Sequence, residues 1–223
     1  MYRLNYRLAS FLLAFILTIG PADATASSDS SDSCDAANLR EELETRKATD
    51  QAARQALMKD RESKSLNLKA FKIDRENQVW FLPILKQCGW PETDAVGESA
   101  AQAAWLIAQH SDMDPSFQVM AAEKMKKAVM AGQAKGVLLA LLVDRNRRMQ
   151  NQPQVYGMQY NIVNHERIVF LPVHEPETLD ARRKEIGLEP FASYVNETIR
   201  QKHMPAEWPN GVLYKPADCC SNR

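Results

Sequence analysis

The stretch Ser99-Ala-Ala-Gln-Ala-Ala-Trp-Leu-Ile-Ala-Gln109 decides the fold expected for this chain. Alanine is the best helix former, and its small side chain lets a helix pack closely against its neighbours. The stretch therefore predicts a helix at the centre of a mainly helical domain. Asp114 and Pro115 follow, and they are typical of a helix start, with Asp114 as N-cap and proline at the first helical position. This next helix is expected to run to Gly132.

Apolar residues at helical spacing predict further helices on both sides of this centre. A long amphipathic helix is expected over residues 35–60, and a second over 74–87, in which Pro83 would cause a kink or a late start. Residues 137–143 are apolar throughout, which indicates a helix buried on every side. Asp144 would follow directly after that helix.

The pattern changes to β-rich sequence after residue 154. Residues 155–163 and 167–173 are rich in β-branched and aromatic side chains, and the polar residues 164–166 lie between them. This arrangement predicts a hairpin of two strands.

Two further helices are expected towards the C-terminus. Pro176 would open the first and Gly187 would close it as a glycine C-cap, while the second would span about 191–203. The expected fold class is therefore mainly α with a small β-hairpin (α+β), a compact multi-helix domain. This single domain would cover residues 35–223.

The N-terminus has the layout of a cleavable export signal. Arg3 and Arg7 precede an uncharged apolar run over residues 8–19, and Ala24-Thr25-Ala26 offers the small residues that signal peptidase reads. The apolar run is shorter than the roughly 20 residues of a spanning helix. We therefore expect residues 1–26 to be cleaved off, which leaves no membrane span and a periplasmic or secreted protein; a retained anchor is the alternative.

The exported chain would carry almost no net charge. Cleavage removes two of the 28 basic and one of the 28 acidic residues, which leaves 26 against 27. Nucleic acid and anionic lipid call for a basic surplus on one face, so nucleic acid is excluded as a partner. Residues 27–34 are rich in serine and aspartate and are expected to form a disordered leader, because they offer little to bury.

Four cysteines would persist in an oxidising compartment, where two disulfides are possible. A bond between the adjacent Cys219 and Cys220 would need a strained ring, so each is expected to pair with Cys34 or Cys88. A metal site is the weaker alternative, since zinc spacings such as C-x-x-C are absent. No cofactor is expected.

Five short motifs in a fixed order resemble a bacterial family of unknown function. They are Gly89-Trp90-Pro91, the pattern AAxAAWLxxQHxDxD from Ala100 to Asp114, Asp144-Arg145, Tyr156-Gly157-x-Gln159, and the pattern DxRRxxxGL from Asp180 to Leu188. The resemblance covers roughly residues 50–194 and implies a bacterial source, but no activity. The family usually has threonine where this chain has Met158, which argues against chemistry at that side chain.

The polar corner after the central helix offers the first candidates for chemistry. His110, Asp112 and Asp114 place an imidazole and two carboxylates within about a turn of one another, as an acid/base pair or half of a metal site requires. The simpler interpretation is structural. A donor such as His110 suits the end of its helix, and Asp114 caps the next one.

Asp144 and Arg145 offer the second candidates, because a charge buried after an apolar helix needs a partner. An arginine of the 182–183 pair could meet Asp144, and His110 or Asp112 could meet Arg145. A structural ion pair is the simpler interpretation, and a polar pocket is the alternative. In that pocket the candidate catalytic residues are His110, Asp112 and Asp144, and the candidate binding residues are Gln109, Arg145, Tyr156, Gln159 and Arg182.

Two functions stay open. The first is a periplasmic binding or inhibitory protein, comparable to an immunity protein, whose partner is another protein of the envelope or one delivered to it. Export, small size and disulfides favour it, as does the absence of motifs such as G-x-S-x-G and H-E-x-x-H. The second is a periplasmic hydrolase in which His110 and Asp112 act as bases or metal ligands and Arg145 binds an anionic group.

Overall fold

The computed structural model describes residues 34–208 and the backbone of residues 213 and 214. Helices dominate this part of the chain. They are α1 (Ala36–Lys59), α2 (Lys64–Gln87), α3 (Thr93–Val96), α4 (Glu98–His110), α5 (Pro115–Met130), α6 (Gly136–Met149), α7 (Leu179–Glu185) and α8 (Phe191–Lys202). None of the helices in these ranges combines the length and the apolarity needed to cross a bilayer.

Side-chain caps fix where three of the helices begin. Asp35 accepts hydrogen bonds from the first backbone N–H groups of α1, and Ser63 accepts one from Leu66 in α2. Asp114 accepts a 2.9 Å bond from the backbone N–H of Phe117, with Pro115 at the first position of α5. The predicted N-cap at Asp114 is therefore confirmed.

Helix α4 lies at the centre of the bundle, as its alanine content predicted. It packs against α1, α2, α5 and α6, and its inward face is made of the fully buried Ala100, Ala103, Ala104 and Ala108. The absence of long side chains on this face lets the neighbouring helices come close. Phe81 of α2 and Phe117 of α5 fill the surrounding core with edge-to-face ring contacts.

A small sheet lies beside the helical bundle. Its strands are β1 (Tyr160–Val163), β2 (Arg167–Phe170), β3 (Ala206–Glu207) and β4 (Leu213–Tyr214), in the order β1-β2-β3-β4. Strand β2 pairs antiparallel with β1 and parallel with β3. Ile168 and Phe170 of β2 pack with Phe191 and Val195 of α8 in a second, smaller core. The fold is therefore the mainly helical α+β domain that the sequence predicted.

Helix α2 begins ten residues earlier than predicted, at Lys64 instead of Asp74. The Ser63 cap starts it there, and buried Ala70 and Ile73 continue its apolar stripe. Pro83 lies inside the last turns of the helix, so it causes neither a late start nor an early end.

Helix α6 differs from its prediction in two ways. It continues through Asp144 to Met149, so the charged residues belong to the helix and do not follow it. The helix is also not buried on every side, since Val137 is 40% exposed. Its buried face is made of Leu139, Ala140 and Leu142, in register with Asp144. The apolar run is therefore the first half of an ordinary amphipathic helix.

The hairpin is shorter than predicted. Its turn contains Asn164 and His165 with positive φ, and both strands have only four residues. Residues 154–159 are not a strand but a loop, and the placing of Tyr156 and Gln159 on a hairpin strand was wrong. The reason is a side-chain contact from α6: Asp144 takes the backbone N–H groups that a strand would use in its ladder.

The disulfide connects the two ends of the α1–α2 hairpin. Cys34 precedes α1 and Cys88 follows α2, and the antiparallel packing of the helices brings their Cα atoms to 5.6 Å in a disulfide. The expectation that each of them pairs with the C-terminal cysteines was therefore wrong. Cys219 and Cys220 lie outside the described residues.

Candidate functional site

Three helices bring Asp50, Asp74 and His110 together at one end of the bundle. Nδ1 of His110 lies 3.1 Å from Oδ1 of Asp50, and Nε of Arg54 lies 3.2 Å from the same oxygen. The guanidinium of Arg54 also donates to Asp74. We call these four residues the His110 cluster. One ligand-type atom from each of Asp50, Asp74 and His110 lies within 4.8 Å of the others.

The position of Asp50 follows from the periodicity of α1. It lies seven residues after Leu43 and three before Ala53, in the stripe of α1 that faces the bundle, and it is only 4% exposed. Arg54 follows one turn later and pairs with it. A carboxylate in this stripe must find partners inside the protein, because water is excluded there.

The pKa values of the two carboxyls in this cluster move in opposite directions. Burial acts to raise the pKa of Asp50, but the hydrogen bond and charge of His110, with the charge of Arg54, outweigh it and hold the pKa below its ordinary value. For Asp74, burial prevails over Arg54 and raises the pKa, and the charge of Asp50 adds to the rise. Asp50 is thus the firmly ionised member of the cluster.

An ionised Asp50 determines what His110 can do chemically. A carboxylate only accepts hydrogen bonds, so Nδ1 of His110 donates to Asp50, and Nε2 is the ring nitrogen left for another partner. The side chain of His110 is 20% exposed. An oriented and partly accessible imidazole of this kind can act as a general base or bind a metal ion.

Arg145 and Asp112 form a second pair next to this cluster. Nε of Arg145 donates to Oδ1 of Asp112 at 2.8 Å, and the second nitrogen donates to Oδ2, so the contact is bidentate. The hydrogen bond to Asp112 raises the pKa of Arg145, and the charge of Asp74 contributes to the rise. Of the two partners considered for Arg145, the structure therefore supplies Asp112, while His110 turns to Asp50.

Asp144 belongs to a different environment from these groups. It is fully buried, and its two oxygens accept backbone N–H bonds of 2.7 to 3.2 Å from Val155, Tyr156 and Met158. Burial raises the pKa of Asp144 in spite of these bonds. The predicted single cluster of His110, Asp112, Asp144 and Arg145 is therefore wrong, because Asp144 is enclosed by the 154–159 loop.

The two arginines of α7 hold the other side of this loop. Nη1 of Arg183 donates to the carbonyl of Tyr156 at 2.6 Å, and Nε of Arg182 donates to the carbonyl of Val155 at 3.0 Å. Arg183 is 2% exposed, and burial lowers its pKa. The loop thus lies between a buried carboxylate, which takes its N–H groups, and a buried guanidinium, which donates to its carbonyl oxygens.

Three of the candidate binding residues are parts of this framework. Tyr156 acts through its backbone, and Arg182 donates to backbone carbonyls. The backbone N–H of Gln159 donates to the side chain of Gln154, and its side chain accepts from Arg148. The backbone N–H and carbonyl of Met158 bond to Asp144 and Tyr194, and its sulfur accepts a 3.6 Å contact from Arg183.

The side chain of Gln109 is the exception among the candidates. Its Oε1 atom is buried and has no hydrogen-bond partner among the described residues. A buried amide oxygen without a donor is uncommon in folded proteins. Gln109 directly precedes His110 at the end of α4.

Sequence reasoning missed Asp50, Arg54 and Asp74. They lie on two helices whose polar residues look like ordinary solvated faces. One signal was present, because Asp50 continues the heptad spacing of Leu43 and so occupies a position where an apolar residue is expected.

A groove with a largely apolar lining lies between α5 and α6. It has a volume of about 330 Å³, and Val155 and Tyr156 of the 154–159 loop contribute to its lining. Two cations and one carboxylate, Lys126, Arg147 and Glu123, lie along it with several amides. Its apolar walls are Val119, Ala122, Leu139, Val143 and Val155.

The chain is thus an α+β domain with two separate polar centres, the His110 cluster and the surroundings of Asp144. A comparison with family models identifies its family. Residues 37–203 match the family of unknown function DUF6624, and because this match spans well over half of the 223 residues, the chain belongs to that family. The matched range is wider than the 50–194 on which the resemblance rested. The comparisons with curated proteins and with solved structures returned no match.

Proposed function

We propose that the chain is an exported bacterial protein that binds another protein and inhibits or neutralises it, with the α5–α6 groove as its docking site. The observation that carries the proposal is the groove itself. Val119, which is 45% exposed, lines the groove together with Ala122, Val143 and Val155, so apolar side chains are grouped along one surface cavity. The signal layout of residues 1–26 supports export.

The groove favours a partner segment that is apolar and carries a carboxylate. Its lining has two cations and one anion, a formal surplus of one positive charge. Lys126 already pairs with Glu185 at 2.9 Å, and Nε of Arg147 donates to the carbonyl of Pro153. The other guanidinium nitrogens of Arg147 are therefore the donors that would meet an acid. A helix laid into a groove between two helices buries apolar residues on one face, as in other helix-in-groove interfaces.

The fate of Asp144 also supports binding over catalysis. A residue with no exposed surface and with both oxygens engaged by backbone N–H groups does not contact a substrate. One of the three catalytic candidates is thereby structural, and the remaining two lie in different pairs.

The test is affinity capture from a cell-envelope extract, followed by titration of the purified partner. Val119→Asp places a carboxylate in the apolar wall and should weaken binding at least about tenfold, since an unpaired charge buried at an interface is costly. Val79→Asp is the matched control, because Val79 is 57% exposed on α2, away from the groove. It should bind as the wild type does.

Three results would overturn the proposal. The first is equal binding by the Val119→Asp and wild-type chains. The second is a wild-type dimer in sedimentation that Val119→Asp dissociates, since the groove would then hold a second copy. The third is a partner whose docked segment carries no acidic residue and whose binding does not depend on salt.

A second candidate function is a periplasmic hydrolase, and the pairing of His110 with Asp50 favours it. The 3.1 Å contact orients the imidazole, and the exposed fraction of His110 would let a water molecule approach. Arg145 lies near enough for the charge of Asp74 to act on it, and it would hold an anionic group of the substrate if Asp112 released it.

The hydrolase is tested by turnover of envelope substrates. His110→Ala should abolish turnover, and Asp50→Asn should lower it, since the orientation of the imidazole is then lost. Equal rates in the wild type and in His110→Ala would exclude this candidate.

A further inference from the structure

We propose that Asp50, Asp74 and His110 form a binding site for a divalent transition-metal ion of the zinc class. The three residues come from α1, α2 and α4, so the fold and not a local motif brings them together. Nothing in the binding function requires this site. It deepens the hydrolase candidate, because a metal ion would supply the means to activate water.

The spacing of the ligand atoms carries the proposal. One atom of each of Asp50, Asp74 and His110 that could bind an ion lies within 4.8 Å of the other two. Zinc binds nitrogen and carboxylate oxygen at about 2.0–2.2 Å, so two of its ligand atoms lie within about twice that distance. The 4.8 Å spacing is thus only about half an ångström above that limit.

The formal charges of the His110 cluster also favour a cation. With histidine counted as neutral, the carboxylates of Asp50 and Asp74 face one guanidinium, that of Arg54, which is a formal surplus of one negative charge. Asp50 has almost no access to solvent that could compensate it. A divalent ion between the carboxylates would neutralise both.

In the structure, the guanidinium of Arg54 supplies the positive charge that a bound ion would supply. It contacts both carboxylates, so an ion must displace it. Its side chain is 27% exposed and lies near the end of α1, where a rotation carries the guanidinium into solvent. Arg54 is therefore a competitor of the ion, and removing it should strengthen metal binding.

The ligand set selects the class of ion. One imidazole and two carboxylates suit zinc, cobalt and nickel, whereas calcium and magnesium prefer sets made of oxygen alone. Three protein ligands leave a fourth position for water, the arrangement of catalytic zinc sites. This open position is what a hydrolase would use.

The experiment is a titration of the untagged, chelator-treated exported chain with Co²⁺, followed by isothermal titration with Zn²⁺. Free thiols are first blocked by alkylation, because cysteine binds the same ions. We expect one ion per chain and the visible absorption bands of tetrahedral cobalt. His110→Ala and Asp74→Asn should each weaken binding at least tenfold, whereas Arg54→Gln should tighten it.

The controls separate this site from other histidines and from the proposed functions. His174 lies next to an exposed carboxylate, with its side chain 55% exposed, so His174→Ala should bind the ion as the wild type does. Asp74→Asn keeps the shape of the side chain and serves if His110→Ala fails to fold. Equal affinity of wild type and Asp74→Asn, or no tightening by Arg54→Gln, would overturn the site. An ion that binds without any turnover would leave the site standing and exclude the hydrolase.

Discussion

Asp144 and Arg145 are neighbours in the sequence, but their side chains lie on different faces of α6. One step along a helix turns the side chain by about 100°. Asp144 therefore points into the protein and holds the backbone of the 154–159 loop, while Arg145 reaches Asp112 at 2.8 Å on the partly exposed side. The two adjacent charges belong to separate centres.

The first prediction compares substitutions of these two neighbours, with Arg145 as the control for Asp144. Asp144→Ala leaves three buried backbone N–H donors without an acceptor and should lower the free energy of unfolding by about 3–5 kcal/mol. Arg145→Ala removes a partly exposed ion pair and should lower it by about 1 kcal/mol or less. Urea unfolding followed by circular dichroism measures both. Similar losses in the two variants would contradict the placing of Asp144 in a structural role.

The helical part of the fold was predictable because its signals are local. The alanine-rich centre, the Asp114 cap and the closing Gly187 each depend on residues a few positions apart, and each agrees with the structure. The hairpin was recognised by the same kind of signal, though its strands are shorter than expected.

The sites were not predictable, because their partners are remote in the sequence. Asp144 finds its partners 11 to 14 residues away in a β-rich segment that looks like a strand. Asp50 and His110 are 60 residues apart and meet only because α1 and α4 pack together. Periodicity places residues on faces, but it does not say which faces meet.

Gly157 offers a second test of the loop around Asp144. Its φ of +75° lies in the left-handed region, and an added Cβ would come within 2.7 Å of the Phe191 ring. Gly157→Ala should therefore lower the free energy of unfolding by about 3 kcal/mol, because strain and overpacking add. Gly187→Ala is the control, since Gly187 has a similar φ of +73° but open space where the Cβ would lie. This variant should lose only the strain energy of about 1–2 kcal/mol. Equal losses would mean that the loop moves away from Phe191 without cost.

The disulfide is tested by peptide mapping without reduction. One linked pair should contain Cys34 and Cys88, as their position at the ends of the α1–α2 hairpin requires. Cys88→Ser should lower the free energy of unfolding by about 2–4 kcal/mol, and reduction of the wild type should have the same effect. A peptide that links Cys88 to the C-terminal tail would contradict this connectivity.

Export is tested on the N-terminus of the mature protein. The charged start, the apolar run and the small residues before position 27 lead us to expect Ser27 as the first residue after secretion in a bacterial host. Mass spectrometry of the periplasmic fraction measures this directly. Ala26→Leu, which removes a small residue from the cleavage site, should leave the precursor uncut. An intact N-terminus in the mature wild type would show that the segment is a retained anchor.

The phenol of Tyr156 should make the fold less stable as the pH rises in the alkaline range. Burial raises the pKa of its phenol above the ordinary 10.0, and the charges of Glu185 and Asp144 add to the rise. The unfolded chain therefore ionises first, so the contribution of this group is fully present below pH 10 and is lost as the pH rises through the folded value. In urea unfolding between about pH 9 and 11, the wild type should lose stability that Tyr156→Phe retains, because phenylalanine has no proton to lose. Parallel curves for the two proteins would mean that the phenol of Tyr156 titrates as freely in the folded chain as in the unfolded one.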